Sequence, residues 1–242
     1  MTGSSYPDSL LKRISENLRG IEARIGEACE RAGRNRDDIT IVAATKNAGP
    51  EAIRAAIDCG IKVAGESRFQ QAIPKIESIG GAVEWHFIGH IQKNKVKFLT
   101  DIFSLVHSVD SIELAEAINR RAGIQGRKVR ILLQVNIGEE TSKYGVPPDK
   151  AADVAEKIAA LPFISLEGLM AIPPQVANAQ ESRKYLRKMI KIKNDIESMK
   201  LKNVSMKYLS FGMSGDYEVA VEEGATHVRI GTAIFGKRDY AK

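Results

Sequence analysis

Apolar and polar positions along the chain fall into two regimes. In the first, Ile14, Leu18, Ile21, Ile25 and Ala28 recur at steps of four, three, four and three, which lays one apolar stripe along a helical face. Pro7 precedes this segment, Asp8 or Ser9 is placed to cap it, and Gly33 is placed to close it, so a helix is expected over about 8–33. From residue 39 onward, short apolar runs alternate with helical segments. The runs are ITIVAAT (39–45), IKVAG (61–65), VEWHFIG (83–89), IFSLVHSV (102–109), VRILLQVNI (129–137), ISLEGLMAI (164–172), MKYLSFG (206–212) and THVRIG (226–231). Between them PEAIRAAIDCG, SIELAEAINRRAG, PDKAADVAEKIAAL and the 179–200 stretch carry helical spacing, the last with Leu186, Met189, Ile190 and Ile196 inward.

Continuous apolar, β-branched runs joined by helices indicate parallel strands covered on both faces. Eight of them in this length fit a closed (β/α)8 TIM barrel better than an open doubly wound sheet. The expected organisation is one α/β domain over 1–242, with the extra N-terminal helix outside a barrel of about 39–236. A chain of 242 residues suits a barrel of this kind.

Composition adds exclusions. The 36 basic and 30 acidic residues leave a net charge of +6, but the two signs are interspersed and no basic arm stands out. The run of Lys93, Lys95 and Lys97 lacks the aromatic platforms of a nucleic-acid groove and reads as a solvated face, so no nucleic-acid partner is expected. Cys29 and Cys59 have neither CxxC nor metal-ligand spacing, which argues against a disulfide framework and fits a cytoplasmic protein. No signal peptide and no membrane span are expected. His86 and His90 are four apart, but on a strand and its loop that spacing does not align two ligands, and no metal site is expected.

In such a barrel, chemistry sits at the C-terminal ends of the strands. Lys46 ends the first run, where desolvation would favour the neutral amine that attacks an aldehyde; the bland alternative is a lysine reaching solvent or pairing with Glu66. After the seventh run comes Ser210-Phe211-Gly212-Met213-Ser214-Gly215-Asp216, and after the eighth Arg229-Ile230-Gly231-Thr232-Ala233. Loops at these two strand ends commonly hold phosphate in barrels of this type, with Ser214 offering its hydroxyl and Gly231 a close backbone approach. A strand-end lysine beside a phosphate pocket leaves two chemistries open: a Schiff-base aldolase of sugar phosphates, or stable binding of pyridoxal 5′-phosphate (PLP). His90, at the end of the third run, is the expected pocket neighbour of the two histidines, and Trp85 is expected in the core.

The motifs AATK (43–46), GESRFQQ (65–71), WHFIGHIQKNKVK (85–97), QVNIGEETSKYG (134–145), LEGLMAI (166–172) and LSFGMSGDYEVAVEEGATHVRIGTAIFG (209–236) occur in this order. Together they resemble the YggS/PROSC family of pyridoxal-phosphate homeostasis proteins. The resemblance implies a PLP fold type III barrel, similar to the N-terminal domain of alanine racemase, with PLP as cofactor in a Schiff base on Lys46. It places Ser214, Gly231 and Thr232 around the phosphate and Arg229 at the pyridine nitrogen, with Met170 and Asn136 lining the pocket from strand ends. One departure stands out: Ser67 occupies a position where the family usually carries asparagine.

An arginine at the ring nitrogen stays protonated and can only donate, so the ring is a poorer sink for carbanion charge than one facing a carboxylate. The second base of alanine racemase comes from a further β-domain that is not expected here. A monomeric protein that stores and hands on PLP, with PLP-requiring apo-enzymes as candidate recipients and little or no turnover, is therefore expected ahead of an amino-acid racemase.

Overall fold

The computed structural model describes residues 6–236, so both ends of the expected 1–242 span lie outside it. All eight apolar runs form strands: β1 (Thr40–Ala44), β2 (Val63–Glu66), β3 (Glu84–Phe87), β4 (Leu105–Val109), β5 (Val129–Val135), β6 (Ile164–Ala171), β7 (Val204–Ser210) and β8 (His227–Ile230). They pair in parallel in sequence order, and β1 closes on β8 with Thr40 opposite His227 and Val42 opposite Arg229. The expected (β/α)8 barrel is the observed fold. Nine helices are described: α1 (Asp8–Ala32), α2 (Pro50–Asp58), α3 (Phe69–Ile79), α4 (Val96–Ile102), α5 (Ile112–Ile124), α6 (Ala151–Ala159), α7 (Arg183–Ser198), α8 (Tyr217–Glu222) and α9 (Thr232–Phe235). The fourth run begins later than its composition suggests, because Ile102 completes α4 before the strand opens at Leu105.

The extra helix α1 packs its stripe of Ile14, Leu18, Ile21, Ile25 and Ala28 against α2, α8 and α9. Gly33 ends it at φ 62°, the left-handed conformation that costs glycine least. Neither Asp8 nor Ser9 caps its start: Pro7 holds the cap position and Asp8 is the first helical residue, placed to favour the positive end of the helix dipole. Arg34, past the end of α1, donates to Val221 O and Ala225 O and so ties this helix to the end of α8. On α7 the buried face is Leu186, Met189, Ile192 and Ile196; Ile190 is only half-buried, since the stripe turns one position further than expected.

Most of the apolar core lies between strands and helices, where Trp85 is buried as expected. The barrel interior is filled differently. Alternation along the strands puts Glu84 and His86, Leu105 and His107, Leu132 and Gln134, Tyr208 and Ser210, and His227 and Arg229 on the face turned to the axis. Leu105, Leu132 and Met170, with Tyr208 against them, form a small apolar layer of their own. His86, His107, His227, Ser210 and Arg229 are all buried beside it. This is a polar filling for a barrel core, where branched aliphatic side chains usually dominate.

Candidate functional site

Arg229, Lys46 and the loops after β7 and β8 meet around one cavity of about 380 Å3 at the C-terminal end of the barrel. That volume lies in the usual range of ~300–1,000 Å3 for small-molecule sites. Its wall includes six residues expected from sequence: Lys46, Ser67, Ser214, Arg229, Gly231 and Thr232. Three others lie outside the lining. Met170 fills the apolar layer beneath, with Leu105 and Leu132. Asn136 closes its own loop, donating Nδ2 to Glu140 O (2.9 Å) and Lys143 O (3.3 Å). His90 sits exposed on the rim, its ring stacked on Tyr144 at 3.5 Å and Nδ1 3.3 Å from Asp110.

Lys46 follows β1 in a tight turn and is exposed on the open side of the cavity rather than desolvated. It does not pair with Glu66. That carboxylate is fully buried and taken by Lys75 Nζ at 2.7 Å and by the Thr45 hydroxyl at 2.6 Å. Lys75 also donates to Thr45 O at 2.6 Å. A buried ion pair thus clamps the backbone immediately before Lys46, while the Lys46 ammonium has no ion-pair partner among the described residues. Sequence spacing offered no signal for Lys75: it lies a full helix turn inside α3 and reaches back to a neighbouring strand end.

Arg229 is buried and also lacks a carboxylate in contact. Its Nη1 donates to Ser210 O (2.7 Å) and Ser210 Oγ (2.6 Å), and Nη2 donates to Ala171 O (2.9 Å). Burial lowers its pKa to about 10, so the guanidinium stays charged and donor-only at neutral pH. A buried cation held by neutral acceptors alone is poised to gain from a further acceptor in the cavity.

Two loops make the remaining wall. In the first, Asp216 Oδ1 accepts from Met213 N at 2.7 Å and tightens the Met213–Asp216 turn, with open space at Gly215 where a Cβ would stand. In the second, a Cβ on Gly231 would stand 3.0 Å from Ala44 O, so glycine lets this loop lie against the end of β1 beside Lys46. Ser214 Oγ and Ala233 N are 3.4 Å apart, which joins the two loops. The donors offered are a hydroxyl and backbone N–H groups from adjacent strand ends, a set suited to an anion such as phosphate. Ser67 is held by a close approach: a Cβ on Gly89 would stand 2.2 Å from Ser67 O, so only glycine lets the loops after β2 and β3 pack together there. Among the described residues no cluster of His, Cys, Asp and Glu could hold a metal ion.

The family described as alanine racemase, N-terminal domain, matches residues 12–239. A pyridoxal phosphate homeostasis protein of Aquifex aeolicus is 42% identical over 226 residues, covering 93% of this chain and 98% of its own. One of Haemophilus influenzae is 36% identical over 231 residues, covering 94% and 97%. The chain belongs to the pyridoxal phosphate homeostasis protein family. The resemblance read from the motifs is thereby borne out, and it extends to structures. PipY of Synechococcus elongatus, solved with PLP bound, is 30% identical with a TM-score of 0.80, over 92% of this chain and all of that one. For this member of the pyridoxal phosphate homeostasis family, no helix among the described residues is long and apolar enough to cross a membrane.

Proposed function

We propose that this protein binds PLP in the cavity between Lys46 and Arg229 and serves intracellular PLP homeostasis, with little or no catalytic turnover. The observation that carries the reading is one wall presenting an ion-pair-free lysine and a carboxylate-free buried arginine together with two phosphate-competent loops. The donor set fits PLP group by group. Lys46 supplies the amine, Ser214 and the backbone at Gly231 and Thr232 suit the phosphate, and Arg229 suits the ring nitrogen. PLP would supply an aldehyde, and Lys46 is the residue whose amine would hold it covalently. Arg229 is donor-only, so at the ring nitrogen it would offer no proton acceptor and would favour an unprotonated ring, the poorer electron sink. Ser67 borders the cavity with a hydroxyl where the family usually places an amide, and offers one short donor in its stead. The names of the relatives and the PLP-bound PipY support the same reading.

Met170, Asn136 and His90 are read as supporting rather than touching the cofactor: a floor, a loop brace and a rim. We read the chain as one barrel domain, monomeric and cytoplasmic, with apo-enzymes that require PLP as its recipients. Two free thiols, Cys29 and Cys59, support the reducing compartment.

The test is direct. Protein incubated with PLP should develop a visible absorption band, and borohydride reduction followed by peptide mass spectrometry should find the adduct on Lys46. Lys46→Ala should lose both the band and the adduct while remaining folded, because the side chain is exposed and unpaired. A colourless wild-type protein without an adduct would remove the PLP reading in favour of sugar-phosphate chemistry.

A further inference from the structure

Three buried imidazoles inside the barrel are not accounted for by the cavity, whose wall none of them reaches. The hydrogen bonds of two of them, His86 and His107, form a chain that runs in one direction. Arg229 is a donor, and Nη1 gives to Ser210 Oγ at 2.6 Å. The Ser210 Oγ keeps a second lone pair and its proton, and faces His107 Nδ1 at 2.8 Å. The other ring nitrogen of His107, Nε2, faces His86 Nδ1 at 3.0 Å. His86 in turn carries its proton on Nε2, 3.3 Å from Glu84 Oε1. The Glu84 end sets the direction: an ionised carboxylate can only accept, so with neutral rings His86 and His107 each carry the proton on Nε2 and accept at Nδ1, and the Ser210 hydroxyl donates to His107 Nδ1. Glu84 opens β3 and lines a separate cavity of about 530 Å3 that includes Thr40 and Val63, at the N-terminal end of the barrel. The chain thus runs through the barrel from one end to the other.

We propose that Ser210, His107 and His86 are positioning residues that hold the Arg229 guanidinium toward the cavity through this one-way chain anchored on Glu84. The inference builds on the PLP reading, because the cavity-facing part of Arg229 is then the donor to the ring nitrogen. If Ser210 Oγ could rotate freely, Nη1 would keep only the Ser210 carbonyl, and the arginine would lose the acceptor that sets its tilt. The charged and titratable groups facing the chain agree with neutral imidazoles. Arg130 lies 3.6 Å from Glu84, 2.9 Å from Glu167 and 3.2 Å from the Tyr208 hydroxyl. The His227 ring lies 5.9 Å from both His86 and His107, and 4.7 Å from Tyr208. Asp216 acts on Arg229 from beyond the strand end. With Arg130 near one end and Arg229 at the other, a third positive charge between them is disfavoured, and burial pushes the pKa of His86 and His107 down.

Two measurements test this. Imidazole 15N NMR of the cofactor-free protein between pH 6 and 8 should show His86 and His107 both protonated on Nε2 alone; an Nδ1–H tautomer or an imidazolium at either position overturns the chain. This measurement needs no variant and does not depend on PLP. In the loaded protein, Ser210→Ala should raise the dissociation constant for PLP about tenfold and displace its visible absorption maximum, while the reduced adduct still maps to Lys46. A folded Ser210→Ala protein with unchanged affinity and spectrum overturns the positioning role and leaves PLP binding intact. A wild-type protein that takes up no PLP overturns the cofactor reading itself, whatever the NMR shows.

Discussion

Between pH 7 and pH 5.5 the stability of the folded protein is expected to fall by up to about 4 kcal/mol, and to go on falling below that. The cause is the set of imidazoles in the barrel core. Burial pushes the pKa of His86, His107 and His227 below the ordinary value near 6.5, that of His227 to about 3. In the unfolded chain each titrates near 6.5. A group whose folded pKa is depressed contributes its full stability above the unfolded value and loses it as pH falls toward the folded one. Below pH 6.5 the unfolded state binds up to three more protons than the folded state, a slope approaching 4 kcal/mol per pH unit. A domain holds roughly 5–15 kcal/mol in total, so a loss of that size is a large share of the whole.

Carboxylates act with the same sign but lower in pH. Glu84 is held at about 2, first by its hydrogen bond from His86 and also by Arg130, while arginine partners lower Glu222 and Glu223. Their contribution is lost only as pH falls below about 4.5, so denaturant titrations above pH 5 isolate the histidines. His107→Asn should lower stability at pH 7 yet reduce the slope by one proton in three. Stability that is flat from pH 7 to 5.5 would mean that the folded core accommodates imidazolium, which the positions of Arg130 and Arg229 disfavour.

The histidine core was the part of the molecule least legible in the sequence. Eight strands and their order were readable because each apolar run is long enough to stand out between helical segments. Strands buried on both faces lose the period-two signal, however, and with it any sign of which side chains point to the axis. His107 sits in the run LVHSV, every residue of which is buried, so nothing local separates its face from that of Val106. The strand-end rule located the candidate site with similar resolution. It pointed to the C-terminal end of the barrel, where six of the nine expected residues line one cavity. It could not say that Met170 points beneath that cavity, that Asn136 turns into its own loop, or that His90 swings out to Tyr144. Glu66 illustrates the remaining gap: its partner is Lys75, nine residues away on the next helix, and only the folded geometry frees Lys46 from it.

Gly168→Ala is expected to be the most damaging single-methyl change in the barrel, lowering stability by more than about 4 kcal/mol. Gly168 lies within β6 at φ +155°, and a Cβ there would stand 1.8 Å from Tyr208 O and 2.9 Å from Tyr208 N. Both atoms belong to the backbone of β7, which no side-chain rotation can move aside. The position coincides with a shift of register, since Leu166 pairs with Val204 but Gly168 with Tyr208. A second shift on the other edge of β6 falls between Ile131 and Leu133. Bulges of this kind re-aim the residues around them. Here Glu167 faces Arg130 at 2.9 Å, and Ala171, three residues on from the glycine, presents the carbonyl that accepts from Arg229 Nη2. Forcing β6 and β7 apart at Gly168 would therefore displace both Ala171 and Ser210, the two residues that hold the guanidinium. Thermal unfolding should show the loss of stability. If enough folded protein remains at low temperature, PLP titration should show weakened binding, although residue 168 does not line the cavity. A variant with unchanged thermal stability would mean that the two strands can separate at this point without cost, and the anchoring of Arg229 would then have to lie elsewhere.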